Sequence, residues 1–172
     1  EKESFKEPLI DLEGHVGIHH AGGLTAHGDF GSYCPSEDRQ NDIFSLKGNV
    51  TLSYENSLAI ANDDRVRIIS KEVEAKKEIT RTYAEGITKI AFFDEVEDVH
   101  ELTCDGLVMI DHEKNAIHFL SENEGKQISF TDKHGQIFAD RAVLDYEIAD
   151  KKFEAKRILL RGHVSLVNRI PG

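Results

Sequence analysis

This sequence predicts an all-β fold of stacked, hairpin-like antiparallel repeats, giving an open sandwich or jelly roll, with residues 1–172 forming a single domain. Three observations predict it. Apolar and polar residues alternate with period two in stretch after stretch. Turn signals such as Glu55-Asn56, Glu113-Lys114-Asn115 and Asp132-Lys133-His134-Gly135 separate those stretches. A short unit also recurs along the chain, as expected when hairpins stack and share one apolar interior.

In chain order, "DLEGHVGIHH" places Leu12, Gly14, Val16 and Ile18 on one face of a strand. The Gly-rich, polar stretch Ala21 to Asp42 breaks the pattern and is expected to be a flexible loop at 21–42. "FSLKGNVTLSY" reads as one strand, with Phe44, Leu46, Gly48, Val50, Leu52 and Tyr54 on the apolar face. Between Arg65 and Gly86 a charged segment reads either as a short helix or as a long hairpin. "ELTCDGLVMID" brings Leu102, Cys104, Val108 and Ile110 together, and "KQISFTDKHGQIFA" offers Ile128 and Phe130 before a turn.

The stretch Ile137 to Ala155 has two readings of its own. Val143, Tyr146 and Phe153 are spaced for a helix, and its Ala, Lys and Glu favour one. It also reads as a hairpin, with a strand through Leu144, Tyr146 and Ile148, a turn at Asp150-Lys151 and a restart at Phe153. Alternation elsewhere decides for the hairpin. The last stretch, "RILLRGHVSLV", reads as a single strand with Ile158, Leu160, Gly162, Val164 and Leu166 on its apolar face.

The recurring unit is Leu-x-Gly-His/Asn-Val-x-aliphatic, in "LEGHVGI", "LKGNVTL" and "LRGHVSL". A glycine on the apolar face of a strand marks a bulge, a bend or a close backbone approach. A second unit, aliphatic-x-Ala/Cys-Asp, opens "LTCDGLVMIDHEKNAIHF" and "IFADRAVLDYEIADKKFEA", with a looser copy in "LAIANDDRVRII".

Composition narrows function. With 21 Lys and Arg against 32 Asp and Glu, the formal charge is 21 − 32 = −11. That sign disfavours nucleic acid and a broad basic surface docked on anionic lipid. No apolar run is long enough to span a bilayer. The opening "EKESFKEPLI" is compatible with a processed secreted protein or a trimmed piece. Cys34 and Cys104 permit one disulfide, although sequence distance does not say whether they meet. Cys104, within an alternating pattern, reads as a small buried hydrophobe.

Nine histidines are many for this length. His15, His19, His20 and His27 cluster early, and Asp111-His112-Glu113 has a ligand-like look. His15 and His19 would share a strand face, so a zinc or copper site is geometrically allowed. No structural zinc spacing is present, however, and solvent-facing histidine is the reading adopted. A glycosidase would need two carboxylates across a cleft, and the chain has no tryptophan to stack a sugar. There is no Gly-x-Ser-x-Gly elbow, and Cys104 has no sequence partner for nucleophilic chemistry. No catalytic residue, metal or cofactor is assigned.

"LKGNVTLSY", "IFADRAVLDYE" and "LRGHVSLV" together resemble the LptA/OstA family of periplasmic lipopolysaccharide-transport proteins, over roughly Leu12 to Val167. The resemblance implies an open, twisted, V-shaped antiparallel β-jelly roll in the periplasm that is not an enzyme. Its interior would receive the acyl chains of lipid A and pass lipopolysaccharide toward the outer membrane. It also implies head-to-tail strand pairing with itself or with LptC-like and LptD-like components; this chain looks most like the soluble bridge, with a fragment of either other component as the alternative. The lipid-binding candidates in the first half are Val50, Leu52, Ile60, Val66 and Ile68. In the second half they are Leu102, Val108, Ile110, Phe119, Phe130, Val143, Leu160, Val164 and Leu166. The alternatives are a structural module in which these residues fill an ordinary core, and a jelly-roll carbohydrate-active enzyme.

Overall fold

Period-two patterning becomes strand almost throughout the computed structural model, which describes residues 10–20, 22–35, 41–55, 57–93, 98–122 and 126–168. Among these residues there are fourteen strands, every pairing is antiparallel, and there is no α-helix. The first seven are β1 (Ile10–His19), β2 (Leu24–Cys34), β3 (Asp42–Lys47), β4 (Val50–Tyr54), β5 (Leu58–Asn62), β6 (Arg65–Val73) and β7 (Lys76–Phe93). Then come β8 (Val99–Asp111), β9 (Ala116–Ser121), β10 (Ile128–Asp132), β11 (Gly135–Ala139), β12 (Arg141–Ala149), β13 (Lys152–Arg161) and β14 (Ser165–Asn168).

Long strands bend in the middle, and short strands end where the long ones bend. Along one edge β7 runs unbroken against β8, from Arg81–Asp111 to Phe93–Val99. Along its other edge it pairs with β6 as far as Glu85, then with β5 from Thr88. β2 divides in the same way between β4 and β3, and β8 between β10 and β9. β1 shifts register between Glu13 and Val16.

The sheet is therefore folded along a line of corners into two arms. The first arm holds the start of β1, the end of β2, β3, β6, the start of β7, the end of β8, β9, β12 and β13. The second holds the complementary halves of the long strands with β4, β5, β10, β11 and β14. Across the two arms the pairings β7–β5–β4–β2–β3–β6–β7 close on themselves as a barrel. β1 remains an edge at one end, and β13 and β14 remain edges at the other.

The two sequence repeats are the two kinds of corner. In Leu-x-Gly-His/Asn-Val, Gly14, Gly48 and Gly162 have φ of 75°, 77° and 81°, and the next residues His15, Asn49 and His163 have 40°, 46° and 45°. Two left-handed residues in succession turn the chain from the first arm to the second, and glycine enters that conformation without steric cost. Space requires glycine too: a Cβ on Gly48 would lie 2.9 Å from Asp29 Oδ2, and one on Gly162 2.6 Å from Asp140 Oδ2. The following side chain bonds that same carboxylate. Asn49 Nδ2 donates to Asp29 Oδ2 at 2.9 Å, and His163 Nδ1 meets Asp140 Oδ2 at 2.7 Å. Gly14, at the first corner, has nothing within 4 Å of a built Cβ.

The aliphatic-x-Ala/Cys-Asp unit and its looser copy make the return corners. Asp63 Oδ1 accepts the Ile87 amide at 3.0 Å, Asp105 Oδ2 accepts Lys126 Nζ at 2.7 Å, and Asp140 Oδ1 accepts Gln127 Nε2 at 3.0 Å. Backbone bonds carry the ladder from corner to corner, as from Asp29 N to Gly48 O and from Gly48 N to Asp64 O.

Two expectations change, and one open reading is decided. "FSLKGNVTLSY" and "RILLRGHVSLV" are each two strands in different arms, because their glycine is a corner rather than an interior strand position. Within the stretch 21–42, Leu24–Cys34 form β2 and not a loop; Gly28 and Gly31 are buried where larger side chains would meet Leu46 and Val16. Ala21 and residues 36–40 lie outside the described residues, as do Asn56, Pro8 and Pro171. The segment Arg65 to Gly86 resolves as the hairpin β6–β7, turning at Glu74 and Ala75 with φ of 51° and 65°.

Both arms contribute to one core. Leu46, Val66, Ile117 and Leu144 of the first arm and Val50, Leu102 and Ile128 of the second are 0% exposed. Each such side chain stabilises the fold by roughly 1.5–3 kcal/mol. Cys104 lies in this core as a free thiol, pushed up to about 11 by burial. Cys34 is half-buried, and no disulfide joins it to Cys104.

Candidate functional site

The interior between the arms is the candidate site. Ten of the fourteen predicted residues lie in it with little exposure: Val50, Leu52, Ile60, Val66, Ile68, Leu102, Val108, Ile110, Phe119 and Phe130. They come from β4, β5, β6, β8, β9 and β10, brought together because each strand turns its alternate residues to one side. Leu160 is half-buried opposite Ala142 at the β13 edge.

Val143 is not inward. The interior residues of β12 are Ala142, Leu144 and Tyr146, and Val143 stands between them on the outer face, opposite His118 and Leu159. The helix-like spacing that singled it out does not apply to a strand. Val164 and Leu166 are 53% and 59% exposed. Leu166 pairs with Ile137, which pairs with Phe130, so it does face the interior side. It is uncovered because β14 is the last strand of its arm. Leu12 is in the same position at the opposite end, 41% exposed on the edge strand β1.

Opposite the corners, the arms meet along a seam. His20 Nε2 approaches Lys77 O at 3.2 Å, and the Phe153 amide donates to Ser57 Oγ at 2.8 Å. Ser57 in turn donates to Tyr54 O. Beneath the seam lies an aromatic group in which Phe92 contacts Phe130, Phe153 and His100, and Phe153 stacks on Tyr146.

The histidines do not converge. The corner takes His15 out of alternation with His19, which sits edge-on to His27 at 5.9 Å. Asp111-His112-Glu113 diverges as well. Asp111 pairs with Arg81 at 3.0 Å and accepts the amides of Glu113 and Lys114, closing the turn. His112 Nε2 meets Thr82 Oγ1 at 2.8 Å, and burial holds its imidazole down to about 4, so it is neutral. Glu113 reaches Arg81 and Lys71, and those hydrogen bonds lower its carboxyl. Among the described residues no group of three or more His, Cys, Asp or Glu is placed to hold a metal ion.

Sequence reasoning missed interior residues of β7, where Thr80, Thr82 and Thr88 fill inward positions beside Ala84, Ile90 and Phe92. Threonine hides the alternation, although Thr-x-Thr-x-Ala spacing was a usable signal. Ile117, Ile128, Leu144 and Phe153 were missed as candidates too. No helix among the described residues is long and apolar enough to cross a membrane. No known family model matches the chain, and no curated protein is significantly similar to it.

Proposed function

We propose that this protein is a non-enzymatic lipopolysaccharide bridge of the LptA/OstA kind, a jelly roll that works in the periplasm, joined end to end with like domains. The observation carrying this reading is an apolar interior that runs from Leu12 and Val16 to Leu160 and Leu166 and ends in unpaired strands on both sides. An acyl chain placed there gains roughly 0.8 kcal/mol per buried CH₂. Continuous backbone at corners such as Gly48, Asp63 and Asp140 hinges one side, whereas the seam is bridged among the described residues by hydrogen bonds such as those of His20 and Ser57, which favours opening along the seam.

The repeats also support the joint. Setting "LRGHVSL" of one molecule beside "LEGHVGI" of the next aligns Leu160 with Leu12, Val164 with Val16 and Leu166 with Ile18. Each apolar pair would cover side chains now exposed or half-exposed at an end. On the outer face Arg161 would meet Glu13. Edge backbone groups would gain partners by strand addition.

A second reading, an interaction module with a permanently filled core, is favoured by the near-zero exposure of Val50, Leu102 and Ile128. Photocrosslinking residues placed at Leu12, Ile110 and Leu166 separate the two. Capture of lipopolysaccharide at Ile110 as well as at the ends is expected. Capture at none of the three, with normal expression and folding, would overturn lipid carriage and leave the filled-core module.

A further inference from the structure

On the seam, a pocket of about 200 Å³ is walled by both arms. His20 and Tyr54 come from the second arm; Ile79, His112, Asn115 and Tyr146 come from the first. Tyr54 is 8% exposed and Tyr146 is 4% exposed. Neither phenol hydroxyl has a hydrogen-bond partner among the described residues, and neither is sealed from solvent. Two hydroxyls open to one pocket can donate to and accept from a ligand that enters it.

The pocket offers no free charge. Burial pushes the Tyr54 phenol up to about 12 and raises Tyr146 as well, so both remain O–H groups. His112 is neutral, its Nε2 engaged by Thr82 and its Nδ1 without a partner among the described residues. His20 Nδ1 accepts the Gly22 amide at 3.1 Å and its Nε2 lies 3.2 Å from Lys77 O. The nearby Asp111 is closed off by Arg81.

We propose that this pocket binds one neutral, polyhydroxylated six-membered ring of pyranose size. An ionic ligand would lose its water there without meeting a counter-charge. Vicinal hydroxyls both donate and accept, which complements two phenols, the Asn115 amide and an imidazole nitrogen. The Ile79 and Ile148 side chains give the C–H face of a ring an apolar surface. The volume equals that of roughly six or seven waters, enough for one such ring and small for anything larger. This inference stands whether or not the interior carries lipid.

The test titrates the intact chain with methyl glucopyranoside and myo-inositol, and with the charged rings glucuronate and glucosamine, by saturation-transfer NMR. Saturable binding of a neutral ring is expected at millimolar concentration, at least about tenfold tighter than either charged ring. Tyr54→Phe and Tyr146→Phe should each weaken it at least about fivefold. Asn115→Gly, which suits the residue's φ of 54°, gives a third variant on an exposed turn. Thermal melts confirm that each variant is folded. No saturable binding up to about 100 mM, equal binding of the charged rings, or undiminished binding in all three variants would overturn the proposal.

Discussion

His163 and Asn49 do the same work at two corners, each reaching the carboxylate of the neighbouring corner. Only the histidine can titrate. The hydrogen bond to Asp140 raises His163, and that same bond is the first cause lowering Asp140. A raised histidine contributes stability that is complete below its unfolded value, about 6.5, and is lost as pH rises through the folded value. A lowered aspartate contributes above its unfolded value, about 3.9, and loses that contribution as pH falls through the folded value. The pair is therefore strongest between about pH 4 and 6.5. His163→Ala should lower the Tm most within that window and little at pH 9. His163→Asn should keep the link and flatten the pH dependence of the Tm. Equal losses for His163→Ala at pH 5 and pH 9 would show that the link does not stabilise the fold. Both side chains face solvent, so the effect is small.

Where β5, β6 and β7 meet, one buried amide holds three elements. Asn62 is 3% exposed. Its Nδ2 donates to Glu85 O and Thr88 Oγ1, each at 2.9 Å, and its Oδ1 accepts the Asp64 amide at 2.9 Å. At this level β7 exchanges β6 for β5, and the sheet ladder alone leaves those groups unpaired. Leucine fills a similar volume but supplies none of the bonds. Asn62→Leu should therefore cost roughly 2–4 kcal/mol, read as a lower urea midpoint at unchanged m-value. An unchanged midpoint would mean that water or backbone movement satisfies the corner. Nearby, Arg65 and Arg67 share Glu85 at 3.1 and 2.6 Å on the solvent face. That network contributes little by comparison, because exposed ion pairs are worth about 0–1 kcal/mol each.

At the scale of the molecule, both ends run in the same direction. In the first arm the start of β1 and β13 both run toward the corners, and in the second the end of β1 and β14 both run away from them. A translational stack of copies must therefore join by parallel strand pairing, which is slightly weaker per residue than antiparallel pairing. Charge assists such a joint despite the net −11. Arg141 and Arg161 stand directly opposite each other on the outer face, a like-charge pair that an incoming acid would relieve. Asp11 and Glu13 occupy the corresponding face of β1. Arg161→Glu or Glu13→Arg alone should weaken self-association about tenfold in sedimentation, and the double reversal should restore it. A wild type that stays monomeric at every concentration and salt would remove the joint between copies. Failure of the double variant to recover would remove this register.

The sequence by itself determined the all-β class, most of the strands and the identity of most core residues, because side-chain alternation is a local property of an extended chain. It also marked the repeated glycines as a bulge, a bend or a close backbone approach, since glycine on the apolar face of a strand is a local signal, but it ran single strands through Gly48 and Gly162. It did not show that those glycines separate two arms: a bend and an interior strand glycine look alike until a neighbouring carboxylate occupies the Cβ position, as Asp29 does at Gly48. Nor did it show that β7 serves two partners on one edge, that Val143 faces outward, or that Val164 and Leu166 lie bare at an end. Tertiary structure alone decided those points, because exposure depends on which strand comes next in space. The seam pocket has the same origin. Tyr54 and Tyr146 are 92 residues apart in the chain (146 − 54), and only the closing of the two arms brings their phenols to one cavity.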